Sequence, residues 1–284
     1  MDWLPARAVD ELVDRALHED LASGDLTSEC CVPSRAMARA QAVARHPLVV
    51  CGGPLFARVF QRVDGDTRVD LKQPDGAWVE GVLWEVSGRA RSLLSAERVA
   101  LNFVQRLSGI ASMARRYVGA LAPNSKTRIT DTRKTTPGLR LLERYAVRVG
   151  GAHNHRDNLG SAVMIKDNHI VAAGSIRAAV ESGRARAPHT SRIEVEVTTL
   201  AELDEAIAAG ADIILLDNMD TPTVKQAVAR VASLVPRPML EASGGITLER
   251  VRELSEAGVD VISVGALTHS APAADIGLDF VLEP

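Results

Sequence analysis

The sequence predicts an α/β protein of about two domains, in which a small and mostly β layer precedes a parallel β/α barrel. The chain has 284 residues, and one domain takes about 150 residues on average. Apolar residues make up 46% and charged residues 24% of the chain, a composition typical of a globular protein with a sizeable core. A turn-rich first third gives way to a regular alternation of strands and helices, which is the pattern of a parallel sheet.

The first hundred residues combine a helix with short strands. Apolar residues at helical spacing predict a helix that includes Val9–Leu17. Further along, Arg68–Leu71 and Trp78–Glu80 flank the turn Asp75-Gly76 as the two strands of a hairpin would. We therefore expect residues 35–91 to form a small, mostly β layer.

A long helical pattern follows this layer. Ser95 is a plausible N-cap, and apolar residues recur at Val99, Phe103, Leu107 and Ile110. Because no linker rich in Pro, Gly or Ser separates the two halves, we place the domain boundary inside this helix. The predicted domains are residues 1–103 and 104–284.

Strands and helices alternate from residue 128 onwards. The predicted strands are Arg128–Thr130, Ala162–Ile165, Ile193–Val197, Ile213–Leu216, Met239–Glu241 and Val261–Val264. Thr199 and Glu202 form a capping box that opens a helix. The last four strands begin 20, 26 and 22 residues apart, which is the period of successive β/α units. The architecture expected is therefore a parallel barrel.

Charge and composition exclude several classes of protein. The net charge of -3 argues against a general nucleic-acid binder. No apolar run approaches the roughly 20 residues of a membrane span, and the first residues lack the pattern of a secretory signal. The cysteines Cys30, Cys31 and Cys51 do not form a disulfide framework. We expect a cytoplasmic protein that binds neither membranes nor nucleic acid.

A basic stretch between residues 126 and 166 predicts an anionic ligand. It carries nine basic and three acidic residues in a chain that is otherwise negative, and a local surplus of this kind suits a small anion. Arg140, Arg144 and Arg148 are four residues apart, so we interpret them as the solvated face of a helix.

Polar residues and glycines follow each predicted strand of the barrel. They are Asp131-Thr132-Arg133-Lys134, Lys166-Asp167-Asn168, Glu196, Asp217-Asn218, Ser243-Gly244-Gly245 and Gly265. One such residue often caps the next helix, but six strand ends together predict an active site at the carboxyl end of the barrel. The two glycine segments are late in the barrel, where backbone N–H groups commonly bind phosphate.

The acidic residues in this set allow two interpretations. Glu196 and Asp217 suit Mg²⁺ that is held partly through a phosphorylated substrate. They can also pair with Lys166 and Lys134 as a structural network, and both arrangements can occur in different ligand states. Glu194 lies deeper on the same strand face, so we expect it to be the buried partner of a basic side chain.

The histidines do not predict a zinc site. His153 and His155 form a His-x-His pair, but no third ligand stands at a suitable spacing. We expect His155 and Arg156 to donate to an anion and His153 to have a role in loop structure. Capping, surface or core roles are expected for His18, His46, His169, His189 and His269. The chain also lacks a nucleophile motif: Cys30-Cys31 has no obvious base beside it.

Long ungapped segments resemble the quinolinate phosphoribosyltransferase family, the carboxylating nicotinate-nucleotide pyrophosphorylases. The segments are Glu19-Asp20, Gly24–Ser28, Ala96–Asn102, Leu107–Ala111, Asp131–Arg140, Asn154–Arg156, Ile165–His169, Leu216–Asn218 and Glu241–Ile246. The resemblance covers about residues 16–280, and motifs of this length and order are highly specific.

The resemblance implies an N-terminal open-face α/β sandwich and a C-terminal incomplete, TIM-like α/β barrel, and it leaves room for the last residues to pack back on the N-terminal domain. It implies a homodimer in which each N-terminal domain covers the other subunit's barrel, and it leaves further assembly open. The implied reaction converts quinolinate and phosphoribosyl pyrophosphate into nicotinate mononucleotide, pyrophosphate and CO2. The reaction requires Mg²⁺ and belongs to de novo NAD synthesis.

The resemblance also assigns roles to the site residues. The quinolinate ligands would be Arg133, His155, Arg156 and Lys166, with Arg98 from the partner subunit. The 5′-phosphate would be held by Ser243, Gly244, Gly245 and Gly265. Lys134 would neutralise the leaving pyrophosphate, while Glu196 and Asp217 orient Mg²⁺ and the ribose hydroxyls. The catalytic set is then Lys134, Lys166, Glu196 and Asp217.

Two loops depart from the family pattern, and two other functions compete with this one. The atypical loops are Gly150–His153 and Asn158–Ser161. One alternative is a family relative associated with molybdenum transport, which would use a different acceptor, and the other is a non-catalytic sensor of phosphoribosyl ligands. Thr135–Arg140 and the intact Asn154–Arg156 favour the quinolinate enzyme over the first. A sensor would be expected to lose charged catalytic residues, and all of them are retained.

Overall fold

The computed structural model describes residues 4–282 and divides the chain into two compact units. Unit 1 contains residues up to Arg115, the segment Thr136–Gly151 and the C-terminal segment from Ser270. Unit 2 contains Arg116–Thr135 and Ala152–His269. Among the described residues, no helix has the length and apolar character needed to cross a bilayer. The domain boundary at residues 103 and 104 stays a prediction.

The helices and strands follow one another in the order below, and the labels are used from here on. They are α1 (Ala6–Leu21), α2 (Leu26–Cys31), β1 (Met37–Val49), α3 (Gly53–Val63), β2 (Arg68–Asp70), β3 (Trp78–Arg89), α4 (Ala90–Gly119), β4 (Arg128–Thr130), α5 (Arg140–Val149), β5 (Val163–Ile165), α6 (Asp167–Ala173), α7 (Ile176–Arg186), β6 (Ile193–Val197), α8 (Leu200–Ala208), β7 (Ile213–Asp217), α9 (Thr221–Val231), β8 (Met239–Ser243), α10 (Leu248–Ala257), β9 (Val261–Ser263), α11 (Ala266–His269) and β10 (Ile276–Leu282).

Unit 1 is built on an antiparallel sheet with the strand order β10-β1-β3-β2. Small residues alternate into the core along β1, where Ala38, Ala40 and Ala42 are buried, as the two-residue period of a strand requires. Helix α3 packs on this sheet through Phe56, whose ring centroid lies 5.0 Å from that of Trp84 in β3. This is the open-face α/β sandwich that the resemblance implies.

Three details of unit 1 differ from the sequence predictions. Helix α3 interrupts the layer expected to be mostly β, although its Pro54 in the first turn and its apolar periodicity are recognisable helix signals. Strand β2 pairs with residues 85–87 of β3 rather than with 78–80, because Trp78 and Val79 pair with β1. Helix α4 begins at Ala90, directly after β3, so Ser95 is not its N-cap; the Ser95 hydroxyl donates instead to Asp25 Oδ2 over 2.9 Å.

A buried ion pair joins the discontinuous segments of unit 1. Arg106 Nη2 in α4 lies 2.8 Å from Glu143 Oε1 in α5, and the Glu143 side chain is fully buried. Arg106 Nη1 also donates to the carbonyl of Ala271, 3.0 Å away. Beyond that residue, β10 pairs with β1 in an antiparallel register that runs from Ala44–Ile276 to Ala38–Leu282. The C-terminal segment is therefore an integral part of unit 1.

Helix α5 has less exposed surface than its sequence predicts. Arg140, Arg144 and Arg148 are half-buried, so the interpretation of a solvated helix face was wrong. The reason is that the buried residues are not confined to one narrow stripe: Leu142, Tyr145 and Ala146 share one face, and Glu143 and Val147 extend burial to about half of the helix circumference. Less of the helix is left for solvent than a single stripe would leave.

Unit 2 is an incomplete α/β barrel of six parallel strands in the order β4-β9-β8-β7-β6-β5. All six were predicted, and their continuous apolar segments, such as Ile214–Leu216, are buried as expected for strands covered on both faces. The capping box is present: Glu202 N donates to Thr199 Oγ1 over 3.2 Å, and the Glu202 carboxylate accepts from Thr199 N. Because the six strands are parallel, their carboxyl ends lie at the same edge of the sheet.

We predict that Gly109→Ala destabilises the protein, while Gly119→Ala on the same helix does not. A Cβ on Gly109 would lie 2.0 Å from the carbonyl oxygen of Pro272, whereas nothing lies within 4 Å of a Cβ on Gly119. Overpacking of this kind costs about 1–3 kcal/mol. Thermal unfolding should show Tm lowered by about 2 to 12 °C for Gly109→Ala and not lowered for Gly119→Ala. Equal Tm values for the two variants would contradict this account of α4.

Candidate active site

A cavity of about 850 Å³ lies at the carboxyl ends of the strands of unit 2. Almost every predicted site residue lines it. They are Arg133, Lys134, His155, Arg156, Lys166, Glu196, Asp217, Ser243, Gly244, Gly245 and Gly265. Arg98 is the exception: it is exposed and lines a separate cavity of about 350 Å³ in unit 1.

The buried carboxylate of Asp131 positions one wall of the cavity. Asp131 follows β4 and is fully buried. Its Oδ1 accepts the backbone N–H of His155 over 2.7 Å, and its Oδ2 accepts the side-chain N–H of Asn154 over 2.6 Å. Backbone bonds between His153 and β4 extend this contact, so residues 153–155 run parallel to the strand. Asp131 thereby sets the positions of His155 and Arg156.

The same wall carries a concentration of positive charge. Arg156 Nη1 donates to the carbonyl of Ala162, 3.1 Å away. Burial, followed by repulsion from Arg133, lowers the pKa of Arg156, and attraction to Glu194 opposes this change. Two guanidinium groups that repel each other in a partly buried wall gain stability from an anion between them.

Two carboxylates face the cavity from neighbouring strands. Glu196 in β6 is paired with the ammonium group of Lys166, as one of the two sequence interpretations expects. Asp217 ends β7, and its Oδ2 accepts from the side-chain amide of Asn218 over 2.8 Å. Carboxylate oxygens that line a cavity next to a phosphate loop are suitable ligands for Mg²⁺, so Glu196 and Asp217 also fit the second interpretation.

A glycine turn at the end of β8 forms another part of the cavity lining. Gly244 and Gly245 have φ values of +89° and +56°, and Asn218 beside them has φ +55°. The backbone N–H of Asn218 donates to the carbonyl of Ser243 over 3.0 Å. A Cβ on Gly244 would lie 2.2 Å from Asn218 Oδ1. The glycine turn and the Asp217 carboxylate are therefore coupled through one asparagine.

Two buried glutamates converge on His155 at the floor of the cavity. His155 Nε2 lies 3.4 Å from Glu194 Oε2 and 3.4 Å from Glu241 Oε1. Burial alone lowers the pKa of His155, but hydrogen bonds to the two glutamates outweigh it and raise this pKa to about 10. Burial is also the main cause of the raised pKa of Glu194. His155 is thus the basic partner that was expected for Glu194.

These three side chains have the donor types of a metal site, with their donor atoms within 4.8 Å of one another. However, the Nε2 nitrogen faces both carboxylates, and a ring with a pKa of about 10 keeps a proton on this nitrogen at neutral pH. A protonated nitrogen is not a metal ligand, so we interpret the group as a network of ion pairs.

Sequence reasoning missed several residues that line the cavity. They are Glu241, Thr247, Ser263 and His269. His269 was expected to have a capping, surface or core role, yet its Nε2 would lie 3.1 Å from a Cβ on Gly265, one helical turn earlier. Glu241 lies two residues before Ser243 on the same strand face, a spacing that could have revealed it. The Ser263 hydroxyl is buried and has no hydrogen-bond partner within residues 4–282.

The chain is similar to known proteins along almost its whole length. The profile of the quinolinate phosphoribosyl transferase N-terminal domain matches residues 25–108, and that of the C-terminal domain matches residues 110–279. A probable nicotinate-nucleotide pyrophosphorylase (carboxylating) of Bacillus subtilis is 44% identical over 275 residues, which cover 96% of this chain and 93% of the relative. The human nicotinate-nucleotide pyrophosphorylase (carboxylating) is 41% identical, with 97% and 92% covered.

A solved structure agrees with this similarity. NadC from Streptococcus pyogenes superposes with a TM-score of 0.93 at 41% sequence identity, and the match covers 99% of both chains. The fold described above is therefore shared over its full length with that structure.

We predict that Gly244→Ala weakens the binding of a phosphomonoester much more than Gly245→Ala does. Alanine at either position takes a left-handed conformation at a cost of about 1–2 kcal/mol, but only at Gly244 does the added Cβ displace Asn218. Calorimetric titration with ribose 5-phosphate should show affinity at least roughly tenfold lower for Gly244→Ala, while Gly245→Ala stays within about threefold of the wild type. Equal losses in both variants would mean that Asn218 does not support the turn.

Proposed function

Because the chain belongs to the quinolinate phosphoribosyltransferase family, we propose that this cavity converts quinolinate and phosphoribosyl pyrophosphate into nicotinate mononucleotide, pyrophosphate and CO2. This is a step of NAD biosynthesis. One observation carries the proposal, namely that a single cavity holds three features. They are the glycine turn, the basic wall formed by Arg133 and Arg156, and the two carboxylates of Glu196 and Asp217. A dicarboxylate, a phosphate and a ribosyl centre that becomes cationic need these three features in one place.

Quinolinate binds at the basic wall in this proposal. Arg133 and Arg156 present planar groups that match carboxylates in a bidentate manner. Lys166 and His155 complete the set within the same cavity. Lys166 is held by Glu196 in the structure, so it can exchange this partner for a substrate carboxylate. Two carboxylates on adjacent ring carbons thus meet cations from several directions.

The phosphoribosyl group binds between the glycine turn and the acidic strand ends. Backbone N–H groups at Ser243, Gly244, Gly245 and Gly265 hold the 5′-phosphate. The quinolinate ring nitrogen attacks C1′ with its lone pair, and the bond from C1′ to pyrophosphate breaks. Lys134 neutralises the leaving pyrophosphate, and Glu196 and Asp217 stabilise positive charge on the ribosyl centre. Since the substrate supplies the nucleophile, the chain needs none.

The second half of the reaction uses the charge that the first half creates. Once it is bonded to C1′, the ring nitrogen is a pyridinium cation, and its positive charge stabilises the electron pair that stays on C2 when the 2-carboxylate leaves as CO2. A proton then replaces the carboxylate at C2. Residues of the basic wall keep the remaining carboxylate in place, which retains the ring during this step.

Mg²⁺ is the metal that we propose for this cavity. Glu196 and Asp217 would hold it, partly through substrate oxygens, because Mg²⁺ prefers few protein carboxylates together with phosphate groups. The bound ion would supply charge neutralisation at the pyrophosphate. Asp217 accepts from a single amide in the structure, so its other oxygen is available for this role.

We also propose a cytoplasmic homodimer that shares its active sites. Arg98 does not line the catalytic cavity, and its exposed side chain in α4 is available to a second subunit. All three cysteines are unpaired, which suits a reducing compartment.

A coupled assay with quinolinate, phosphoribosyl pyrophosphate and Mg²⁺ tests the function, with CO2 release as the readout. In this assay we expect Arg133→Ala to raise the quinolinate KM strongly. Losing a charge-assisted hydrogen bond to a carboxylate costs about 1.5–3 kcal/mol, which corresponds to roughly 10- to 150-fold. The exposed Arg252 in α10 provides the control, and Arg252→Ala should leave the KM unchanged.

Two outcomes would contradict these assignments. Absence of CO2 release by the wild-type enzyme in the presence of all three components would reject the function and favour a different acceptor or a sensor. Normal CO2 release with an unchanged quinolinate KM in Arg133→Ala would retain the function and reject the role of Arg133.

Subunit sharing predicts that two inactive variants restore each other. Lys166→Ala and Arg98→Ala should each be nearly inactive as homodimers, because each variant lacks a quinolinate contact in both sites. A mixed dimer holds one site with both defects and one site with neither. Activity should therefore return to about half of the wild-type value per heterodimer, by the symmetry of an isologous pair.

The matched control mixes Lys166→Ala with Arg133→Ala, at a quinolinate concentration that leaves Arg133→Ala inactive. Both residues line the same cavity, so every site in the mixed dimer keeps one defect and activity should stay low. If subunit exchange is verified and the Arg98 mixture stays equally low, Arg98 does not serve the neighbouring site.

A further inference from the structure

The loops that follow β7 and β8 begin where the pairing of these two strands ends. The last paired residues are Asp217 and Ser243. Just beyond them, the backbone N–H of Asn218 donates to the carbonyl of Ser243 over 3.0 Å. Gly244 then takes a left-handed conformation with φ +89°. The Asp217 carboxylate and the glycine turn are therefore on two loops whose separation is no longer set by strand pairing.

The guanidinium group of Arg250 bridges these two loops. Arg250 is in the first turn of α10 and is half-buried. Its Nη2 donates to the carbonyl of Met219, a buried residue, and its Nη1 donates to the carbonyl of Gly244 over 3.4 Å. A planar guanidinium holds two acceptors in a fixed relative geometry. The loop that carries Asp217 is thereby tied to the glycine turn.

Arg250 acts on a ligand only through these neighbours. It is not among the described residues that line the catalytic cavity. Its charge also acts on Asp220, in the same loop as Met219: hydrogen bonds from Thr223 are the main cause of the lowered pKa of Asp220, and Arg250 adds to this effect. Three groups near the guanidinium therefore keep it between the loops and outside the cavity.

A different contact supports the glycine turn alone. The hydroxyl of Tyr117, a buried residue of α4, donates to the carbonyl of Ile246 over 3.3 Å. Ile246 directly follows Gly245. Because this bond acts on the turn and not on the loop after β7, Tyr117 provides a comparison for Arg250.

We propose that Arg250 is a positioning residue of the phosphoribosyl site, and that its guanidinium sets the distance between the Asp217 carboxylate and the glycine turn. The inference rests on the proposed function and deepens it, because one phosphoribosyl group must meet both loops at once. When the loops are correctly separated, the second contact forms with little further loss of entropy. Arg250 thus supports the joint binding of the two ends of the ligand.

Calorimetric titration with two ligands measures this joint binding. Methyl phosphate occupies the turn alone, whereas phosphoribosyl pyrophosphate with Mg²⁺, in the absence of quinolinate, meets both loops. For Arg250→Ala we expect the affinity for methyl phosphate to change by less than about threefold and the affinity for phosphoribosyl pyrophosphate to fall at least about tenfold. In the coupled assay, the quinolinate KM should change by less than about threefold.

Three further variants control for the turn, the charge and the fold. Tyr117→Phe removes a donor from the turn alone, so both affinities should change by the same factor, within about twofold. Arg252→Ala removes a positive charge from the exposed face of the same helix and should behave as the wild type. Arg250→Lys keeps the charge but lacks the planar fork, so it should lose at least about threefold in affinity for phosphoribosyl pyrophosphate. It provides the test if Arg250→Ala does not fold.

A double-mutant cycle tests whether Arg250 acts through Asp217. Asp217→Asn should itself lower the affinity for phosphoribosyl pyrophosphate. In that background, Arg250→Ala should cost less than about threefold, instead of the tenfold or more expected in the wild type. Additive losses would show that Arg250 acts independently of Asp217 and would overturn the inference.

The outcomes separate the inference from the function. Equal losses for both ligands in Arg250→Ala overturn the inference, because Arg250 then supports the turn alone. Unchanged affinity for phosphoribosyl pyrophosphate also overturns it, while CO2 release from quinolinate still supports the function. The expected affinities without CO2 release retain the inference and reject the function. Failure of the wild type to bind phosphoribosyl pyrophosphate rejects both.

Discussion

The geometry of the basic wall depends on one buried carboxylate. Asp131 is fully buried at the end of β4, and its two oxygens take the backbone N–H of His155 and the side-chain amide of Asn154. A buried carboxylate with fewer partners would be strongly unfavourable, so segment 153–156 is held against β4. Because Arg133 follows Asp131 by two residues, the same constraint brings the two arginines of the wall together. A substrate carboxylate therefore meets donors that need little rearrangement.

Most of the barrel and its site could be predicted because the relevant signals are local in sequence. Apolar runs mark the six strands, and the residues that follow each strand must converge at the carboxyl end of a parallel sheet. Ser243, Gly244 and Asp217 were found in this way. Helix α3 was missed even though Pro54 and its apolar periodicity indicate it, because its 11 residues are a short window within a turn-rich segment.

The remaining differences come from contacts that no local pattern encodes. Ser95 has the chemistry of an N-cap, but the preceding strand β3 leads straight into the helix, and the hydroxyl binds Asp25 instead. The half-burial of Arg144 depends on which segments of unit 1 surround α5. Glu241 acquires its role from His155, which lies on a segment 86 residues earlier in the chain. Spacing along the sequence carries no information on such pairs.

The charge on the cavity explains why substrate binding must involve more than the basic wall. Arg133, Lys134, Arg156, Lys166 and the charged His155 line it, against the carboxylates of Glu196, Asp217 and Glu241, and Glu194 pairs with His155. The empty site is therefore close to neutral. A dicarboxylate and a pyrophosphate group add several negative charges, and burying that excess uncompensated would cost far more than the contacts return. We therefore expect cations to enter with the substrates, and the oxygens of Glu196 and Asp217 are the place that we propose for a metal ion.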